Sequence, residues 1–394
     1  NKNILSADNQ SFIDLNLHTD ISSLLFKKYN FIGVTIQELI EQIEAKKRTK
    51  NKLETWFKSK NIYYPNRLNI EQTSSEITAN YKSKLVDGES IIDLTGGFGV
   101  DCFYFSKKIK NVLHCEINKN LSKIVNHNFK QLERNNITTI SEDGIEYLKK
   151  NQRIFDYIYL DPSRRNDQKG KVFLLSDCLP NITTNLDEIF KKTNSILLKT
   201  SPLLDITNGL NELICVKEIH IVAIKNEVKE LLFLLKKDFH EKPTIHTINI
   251  SNNKKDKFTF KIDKTEIANY SLPKKYLYEP NAAILKSGGF NQVAKQYELC
   301  KLHQHSHLYT NNELLKFPGR TFEIIEVYKY NKKELRKRFK KEKINVNTRN
   351  FPKSVEQIRK ELQLNDGGDR QLIFTTNIYN KKIAVFCKKI KNNT

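Results

Sequence analysis

The sequence predicts an α/β fold in which a doubly wound sheet of mainly parallel strands lies between a helical N-terminal unit and a small α+β C-terminal domain. Three observations lead to this prediction. Strand-like apolar runs alternate with helical patterns over residues 90–250. A glycine-rich turn, residues 95–99, separates the first of these runs from a helix. Polar residues follow the ends of the first five runs, as expected where parallel strands end at one ligand-binding edge.

Residues 1–65 form the first predicted unit, which we expect to be helical because its apolar residues recur at helical spacing. Thr35 is a predicted N-cap, and Glu38 completes a capping box. Trp56, the only tryptophan, is expected to anchor a small helical cluster. The basic run 46–50 is predicted to end a helix, where cations complement the helix dipole, although it can also contact a phosphate.

The second predicted unit, residues 66–270, contains the sheet. A helix over residues 72–85 leads into it, and here Gln72 and Ser75 either cover a bound ligand or belong to a plain connecting helix. The first strand ends at Asp93. Later strands are predicted over residues 218–224 and 244–250, and residues 254–264 are predicted to form a polar turn and a strand that closes the sheet. A helix is predicted over 226–237 because its valine and leucine residues have helical spacing.

The turn after the first strand contains Thr95, Gly96, Gly97 and Gly99. Glycines at such a turn let a ligand approach the backbone and the amide groups at the helix start, although a tight turn that binds nothing has a similar sequence. Glu116 ends the second strand about 20 residues after the first, which is the spacing at which an acid can accept hydrogen bonds from ribose hydroxyls. The sequence therefore predicts a nucleotide-like ligand over this turn.

The next three strands also end in polar residues. The residues that follow them are Asp143 and Gly144, then Asp161, Pro162, Ser163, Arg164 and Arg165, and finally Lys199 and Ser201.

Residues 271–319 are predicted to form a small linker domain, interrupted by proline and glycine. His303, His305 and His307 alternate as on one face of a strand, and three imidazoles at this spacing can bind a metal ion. Neither cysteines nor a carboxylate cluster accompany them in sequence, so we expect no metal.

Residues 320–394 form the last predicted unit, in which strands alternate with two helices and end in a hairpin. The helix over residues 332–342 is mostly basic, with Leu335 and Phe339 one turn apart on its apolar side. Its basic side is either a solvated helix face or a contact for a nucleic-acid backbone, and its charge density favours the second interpretation.

The composition supports a nucleic-acid partner. The net charge is +22, with 67 basic and 45 acidic residues, and such a field attracts polyanions, although codon bias in an AT-rich genome can also produce excess lysine. The six cysteines form no Cys-x-x-Cys motif, which fits a reducing cytoplasm. We expect neither a membrane-spanning segment nor a signal peptide, because no apolar run is long enough.

Residues 93–101, Glu116, Asp143 and residues 161–165 together resemble the ordered motifs of class I S-adenosylmethionine-dependent methyltransferases. This resemblance implies a Rossmann-like sheet in which residues 218–224 and 244–250 pair antiparallel. It also implies S-adenosylmethionine as the cofactor.

A further resemblance is to a bacterial group of RNA methyltransferases with a THUMP-like C-terminal domain. The tracts 72–76, 278–281 and 307–309 carry it, together with the basic last unit. It implies RNA rather than DNA as the partner. The residues predicted to contact RNA are Arg165, Lys333, Arg336, Lys337 and Lys340.

The cofactor would be held by residues at the strand ends. Glu116 would accept hydrogen bonds from the ribose hydroxyls, because a carboxylate can accept two at once. Asp143 would accept one from the adenine amino group, and Gly144 would leave room for the ring. Asp93 would face the cationic methionine end, directly or through water. The cofactor would lie against the backbone of Thr95, Gly96, Gly97 and Gly99.

The predicted catalytic residues are Asp161, Pro162, Ser163 and Arg164. Many nucleic-acid aminomethyltransferases carry Asn/Asp-Pro-Pro-aromatic here, so Ser163 and Arg164 depart from the pattern and remove its stacking ring. Arg164 can instead stack on a base or grip a phosphate. Asp161 would accept a proton or align the target atom, unless it is only a helix N-cap. Lys199 and Ser201 are further candidates.

Together these features predict a cytoplasmic S-adenosylmethionine-dependent methyltransferase that acts on tRNA or rRNA. Two alternatives stay open. One is a methyltransferase acting on a protein or a small molecule, and the other is a non-catalytic RNA-binding protein that retains the fold.

Overall fold

A computed structural model of the chain describes residues 1–27, 29–164, 174–252, 254–262 and 266–390. The chain forms two compact units, which are residues 1–217 with 230–241, and residues 218–229 with 242–394. The four predicted domains have other boundaries than these two units and stay a prediction.

The helices of the described residues are named in chain order. The α-helices are α1 (Ala7–Leu15), α2 (Ile21–Leu25), α3 (Ile36–Thr49), α4 (Glu54–Lys58), α5 (Arg67–Gln72), α6 (Glu76–Lys82), α7 (Val100–Phe105), α8 (Lys119–Gln131), α9 (Gly144–Lys150), α10 (Ile182–Phe190), α11 (Ile206–Glu212), α12 (Ala282–Ser287), α13 (Phe290–Gln296), α14 (Lys332–Phe339) and α15 (Val355–Leu362). Short 3₁₀ helices cover Lys2–Leu5 and Leu175–Asp177.

The strands are numbered in the same way. They are β1 (Ser90–Asp93), β2 (Asn111–Cys115), β3 (Ile137–Ile140), β4 (Tyr157–Leu160), β5 (Ser163–Arg164), β6 (Cys178–Leu179), β7 (Ser195–Thr200), β8 (Val216–Ile224), β9 (Glu227–Lys236), β10 (Thr244–Ser251), β11 (Lys254–Lys261), β12 (Tyr276–Pro280), β13 (Cys300–Lys301), β14 (Tyr309–Asn311), β15 (Gly319–Lys329), β16 (Asn345–Thr348), β17 (Arg370–Thr376) and β18 (Lys382–Lys389).

The first unit is built on a sheet with the strand order β9-β7-β4-β1-β2-β3. The last five of these strands are mutually parallel, and β9 is antiparallel to β7. The parallel strands end at a common edge, which confirms the predicted alignment of their polar ends. From β1 the chain proceeds outward to β2 and β3 and then returns to β4 on the other side. The edge beside β1 and β4 is therefore a topological switch point, where open α/β sheets bind ligands.

The N-terminal helices follow the sequence pattern. Thr35 caps α3, and both hydrogen bonds of the predicted capping box with Glu38 are present. Trp56 is completely buried, with its ring centroid 4.8 Å from that of Phe103 and 6.1 Å from that of Phe98. The tryptophan thus anchors the N-terminal helices to the segment around the glycine-rich turn. No helix in the described part of the chain has the length and apolar character needed to span a membrane.

The predicted helix over residues 226–237 is wrong, because this segment forms strand β9. Residues 231–235 are all buried, so the strand has a continuous apolar run without the alternation of a half-exposed strand. A short apolar run of this kind fits a buried helix and a buried strand equally well.

In the second unit, β8 pairs parallel with β10, and β10 pairs antiparallel with β11. The expected antiparallel pairing of residues 218–224 with 244–250 is therefore wrong. The reason is that residues 227–236 form a strand: β9 runs antiparallel to β7 and takes the antiparallel position that the resemblance implied for residues 244–250.

A second sheet in this unit has the order β13-β14-β12-β15-β18-β17-β16. Leu335 and Phe339 from α14 are buried in a core against this sheet, as the sequence predicts, and Ile358 and Leu362 from α15 join the same core. The predicted strand face of histidines is wrong, because residues 303–308 lie outside the strands, residues 304–306 form a turn and His307 has φ of 51°.

Candidate active site

The glycine-rich turn fits closely against its neighbours. A Cβ atom on Gly96 would lie 2.3 Å from Nε2 of His114, and one on Gly99 would lie 2.5 Å from the Phe129 ring. Gly97 and Gly99 also have φ of +55° and +78°, the left-handed region that favours glycine. These glycines are therefore needed for the path of the turn itself, and they leave its backbone uncovered by side chains of its own.

Glu116 lies over this turn, as the sequence predicts. Its Oε2 accepts the Gly97 amide at 2.9 Å, and its Oε1 accepts the Asn118 amide at 2.7 Å. Burial raises the pKa of the Glu116 carboxyl, while these two backbone hydrogen bonds act in the opposite direction. Each carboxylate oxygen can accept a second hydrogen bond, so the side chain is placed to receive two hydroxyl groups while it remains fixed to the turn.

Asp143 caps helix α9. Its Oδ1 accepts the Ile145 amide at 2.9 Å and the Glu146 amide at 3.0 Å. No hydrogen bond to its Oδ2 is found among the residues that the structure describes. Gly144 follows, and a Cβ there would lie 2.5 Å from the Leu94 carbonyl oxygen. Close packing of α9 against the first turn explains the glycine, and the predicted adenine contact of Asp143 stays a prediction.

Asp93 is almost completely buried, and its carboxylate holds the first residue of the turn through hydrogen bonds. Its Oδ1 accepts the Thr95 amide at 2.9 Å and the Thr95 hydroxyl at 3.1 Å, and the Cys102 thiol donates to its Oδ2 at 3.4 Å. Burial raises the pKa of Asp93 to about 7. The Thr95 hydroxyl in turn accepts the Asp161 amide at 2.7 Å, which connects the ends of β1 and β4.

Asp161 forms an ion pair with Lys199, the penultimate residue of β7. Burial acts to lower the pKa of Lys199, but the charges of Asp161, Glu230 and Asp101 outweigh it and the pKa rises. Asp161 caps no helix, because β5 begins two residues later. The N-cap interpretation is therefore wrong, and the structure pairs the acid with a cation instead.

The other predicted residues of this tract have different surroundings. Pro162 is buried and Ser163 is exposed. The Arg164 side chain and all of Arg165 lie outside the described residues. The hydroxyl of Ser201 accepts the Leu203 amide at 3.2 Å within a turn.

The structure also contains a buried polar network that was not predicted from the sequence. It connects α6 and β9 to the start of α7. Lys82 is completely buried, and its Nζ lies 3.0 Å from Oδ1 of Asp101 and 2.9 Å from Oε2 of Glu230. The hydroxyls of Ser74 and Tyr159 each donate to Oδ2 of Asp101 at 2.8 Å. Burial acts to raise the pKa of Asp101, but Lys82 and Lys199 lower it overall. The network therefore fixes the helix that begins at the glycine-rich turn.

One signal for this network was present in the sequence. Glu230 directly precedes the apolar run 231–235, and an acid beside such a run must find a buried cation. The assignment of this segment to a helix concealed that signal. Ser75, by contrast, is the N-cap of α6, which fits the plain connecting helix. The predicted start of that helix at Gln72 is wrong, because Gln72 is an exposed residue at the end of α5 and α6 begins at Glu76.

The basic helix α14 has the predicted two-sided character. Leu335 and Phe339 are buried, and the basic residues of the opposite side are exposed. Contact with RNA stays a prediction. The exposed residues for which it is predicted are Lys333, Arg336, Lys337 and Lys340.

Sequence models of known families match three parts of the chain. Residues 57–220 match conserved hypothetical protein 95, residues 276–318 match a ferredoxin-like domain, and residues 319–389 match a THUMP domain-like family. An uncharacterized RNA methyltransferase of Mycoplasma mobile is 30% identical over 152 residues, which are 37% of this chain. The match spans 41% of that relative's length.

The crystal structure of a candidate methyltransferase from Porphyromonas gingivalis W83 is similar over almost the whole chain. The identity is 32%, the alignment covers 97% of each chain, and the TM-score is 0.88.

The strand order, the glycine-rich turn and the acid at the end of β2 define a class I methyltransferase fold. The chain belongs to the same methyltransferase family as the Porphyromonas gingivalis protein, and in this chain a THUMP domain-like segment follows the methyltransferase sheet.

Proposed function

We propose that this protein transfers a methyl group from S-adenosylmethionine to a base of tRNA or rRNA in the cytoplasm. The observation that carries the proposal is the position of Glu116, whose carboxylate is fixed to the Gly97 amide at the switch point of the sheet. A carboxylate beside an uncovered glycine backbone is suited to a ribose, because it accepts two hydroxyl hydrogen bonds at once.

The residues present fit this cofactor. Glu116 would hold the ribose hydroxyls. Oδ1 of Asp143 accepts the capping hydrogen bonds of α9, so its Oδ2 would accept a hydrogen bond from the adenine amino group. The turn from Thr95 to Gly99 would lie along the cofactor without side-chain obstruction at its glycines. Asp93 contributes through the shape of the turn, because its oxygens already accept hydrogen bonds from Thr95 and Cys102. The cofactor supplies an activated methyl group when bound.

Methyl transfer is an in-line displacement, so the protein mainly has to align the acceptor atom. Asp161 would perform this task from the end of β4, where its backbone amide donates to the Thr95 hydroxyl and its carboxylate pairs with Lys199. Its carboxylate would accept a hydrogen bond or a proton from the acceptor group of the base. Lys199, which remains protonated, would keep the carboxylate oriented and is a positioning residue.

RNA as the substrate is supported by three features. The net charge is +22, the helix α14 presents a basic exposed side, and residues 319–389 match a THUMP domain-like family. The Mycoplasma mobile relative is named as an RNA methyltransferase. The uniform charge of a phosphate backbone suits such a surface better than a small molecule does.

The proposal is tested by methyl incorporation. The full chain is incubated with S-adenosylmethionine labelled in the methyl group and with tRNA or rRNA from cells that lack the protein. We expect label in one RNA class, and little in RNA from cells that contain the protein because its sites are already methylated. Equal labelling of both RNA preparations would contradict RNA as the substrate. Labelling of a protein or small-molecule fraction instead would favour the corresponding alternative.

Matched variants identify the source of the activity. Glu116→Gln removes the carboxylate that would hold the ribose, and Glu44→Gln makes the same change at an exposed position of α3. We expect the first variant to lose incorporation and the second to retain it. Mass spectrometry of the digested RNA then gives the modified nucleoside.

A further inference from the structure

Three metal-ligating side chains meet in the second unit, and none of them belongs to the site described above. They are Glu218 and His220 on β8 and His246 on β10, and one ligand atom from each lies within 4.8 Å of the others. Nε2 of His220 lies 3.1 Å from Oε2 of Glu218, and Nε2 of His246 lies 3.7 Å from the same oxygen. The two imidazole rings are stacked, with centroids 4.6 Å apart.

The strand pairing explains this convergence. In the parallel pair β8–β10, His220 is directly opposite His246. Glu218 precedes His220 by two residues, and therefore points to the same face of the sheet. The three donors are consequently held by backbone hydrogen bonds of two neighbouring strands rather than by a loop. The sequence did not reveal them, because the two histidines are separated by strand β9 and no metal-binding motif surrounds either one.

Strand β11, which pairs with β10, orients the imidazole of His246. Thr259 of β11 is paired with His246, and its hydroxyl oxygen lies 3.1 Å from Nδ1 of that ring. A hydroxyl that accepts the Nδ1 proton leaves the lone pair on Nε2, the atom that faces Glu218. Metal-ligating histidines characteristically use their second nitrogen in this way.

The burial of the three side chains is also suited to an ion. His220 is buried, whereas the side chains of Glu218 and His246 are 25% and 28% exposed, so an ion can reach the cluster from one side.

We propose that Glu218, His220 and His246 bind one divalent transition-metal ion that links β8 to β10. Two imidazoles and one carboxylate are a donor set typical of zinc, which takes nitrogen and oxygen ligands in a tetrahedral arrangement. Small rotations of the stacked rings bring both Nε2 atoms to a common ion, and water completes the coordination. This proposal replaces the sequence-based expectation of no metal, and it does not depend on the proposed methyl transfer.

The test uses the full chain without a histidine tag, after dialysis against a chelator. Zn²⁺ is titrated calorimetrically, and Co²⁺ is added separately to read its visible absorption. We expect one ion per chain with a Kd in the micromolar range or below, and a Co²⁺ spectrum of low coordination number. The absence of Zn²⁺ binding below about 1 mM would overturn the proposal.

Variants locate the ion. His246→Gln and Glu218→Gln change partly exposed side chains and are each expected to weaken Zn²⁺ binding at least about tenfold. His240→Gln, at an exposed position outside the cluster, is expected to bind Zn²⁺ like the unaltered chain. Circular dichroism establishes that each variant is folded. Unchanged Zn²⁺ affinity in both folded cluster variants would place the ion elsewhere and contradict the proposal.

Discussion

The ammonium group of Lys82 lies 2.9 Å from Oε2 of Glu230, a residue 148 positions later in the chain. Neither side chain is more than 5% exposed, and Asp101 at the start of α7 contacts the same ammonium group at 3.0 Å. One cation thus connects α6 and β9 to the helix that begins at the glycine-rich turn. The position of that turn, and so of the candidate active site, depends on a charge network that lies outside it.

Loss of the central cation should destabilise the fold strongly. Lys82→Met leaves two carboxylates buried without their cation, and removal of one partner of a buried ion pair costs about 3–5 kcal/mol. We expect the free energy of unfolding in urea to fall by this amount. Lys84→Met, at an exposed position two residues later, should change it by less than about 0.5 kcal/mol. A change below about 1 kcal/mol in Lys82→Met would show that the network contributes little.

Asp161→Asn should impair catalysis more than cofactor binding. The substitution keeps the shape of the side chain but removes the charge that Lys199 holds and that would receive a proton. Loss of a general base lowers rates by about 10²–10⁴-fold, and we expect a fall in kcat of this size. S-adenosylmethionine affinity, measured by calorimetry, should change by less than about threefold. Asp87→Asn, an exposed control, should leave both quantities unchanged.

The carboxyl of Asp93 should make stability depend on pH. Its pKa is about 7 in the folded chain and 3.8 as an unperturbed carboxyl, so between these values the folded chain binds more protons than the unfolded one. The contribution of this protonated carboxyl to the free energy of unfolding is fully present below pH 4. It decreases by about 1.4 kcal/mol per pH unit as the pH rises towards 7.

Asp93→Asn does not titrate, so the difference in unfolding free energy between it and the unaltered chain isolates this effect. We expect the unaltered chain to lose stability relative to the variant between pH 5 and pH 7.5, measured by urea unfolding. A difference that stays constant across this range would show that Asp93 has an ordinary pKa.

The basic side of α14 should supply phosphate contacts. Replacement of Lys333, Arg336 and Lys337 by alanine removes three exposed cations and should weaken RNA binding while leaving S-adenosylmethionine affinity unchanged. The slope of log affinity against log salt concentration should fall by about 2, since each phosphate contact contributes about 0.7 on single-stranded regions.

The control for this prediction carries the same change of charge at another surface. Lys84, Lys110 and Lys130 are exposed in the first unit, and their replacement by alanine should leave most of the salt dependence intact. Equal weakening of RNA binding in the two triple variants would indicate a general effect of net charge rather than a contact by α14.

The sequence was informative wherever local chemistry decides the structure. The glycine positions of the turn, the acid at Glu116 and the capping box at Thr35 depend on nearby residues, and the structure has each of them as predicted. The five parallel strands were also predictable, because each is an apolar run with a polar end.

Long-range pairing was not predictable in the same way. Strand β9 has an apolar run that periodicity does not distinguish from a helix. Because β9 was taken for a helix, the antiparallel position in the sheet was assigned to residues 244–250, which instead pair parallel with β8. The partner of Lys82 is 148 residues away, and the partner of Asp161 is Lys199 on another strand. Such pairs follow from strand order, which the sequence suggests only through resemblance.

The central claim is that Glu116 holds the cofactor over the glycine-rich turn. Calorimetric titration of S-adenosylmethionine into the full chain tests it most directly, with Glu116→Gln and Glu44→Gln in parallel. The account predicts one binding site, a loss of affinity of about 10–100-fold in Glu116→Gln because hydrogen bonds to a charged group are lost, and no change in Glu44→Gln. Unaltered affinity in a folded Glu116→Gln variant, or no binding to the unaltered chain, would contradict it.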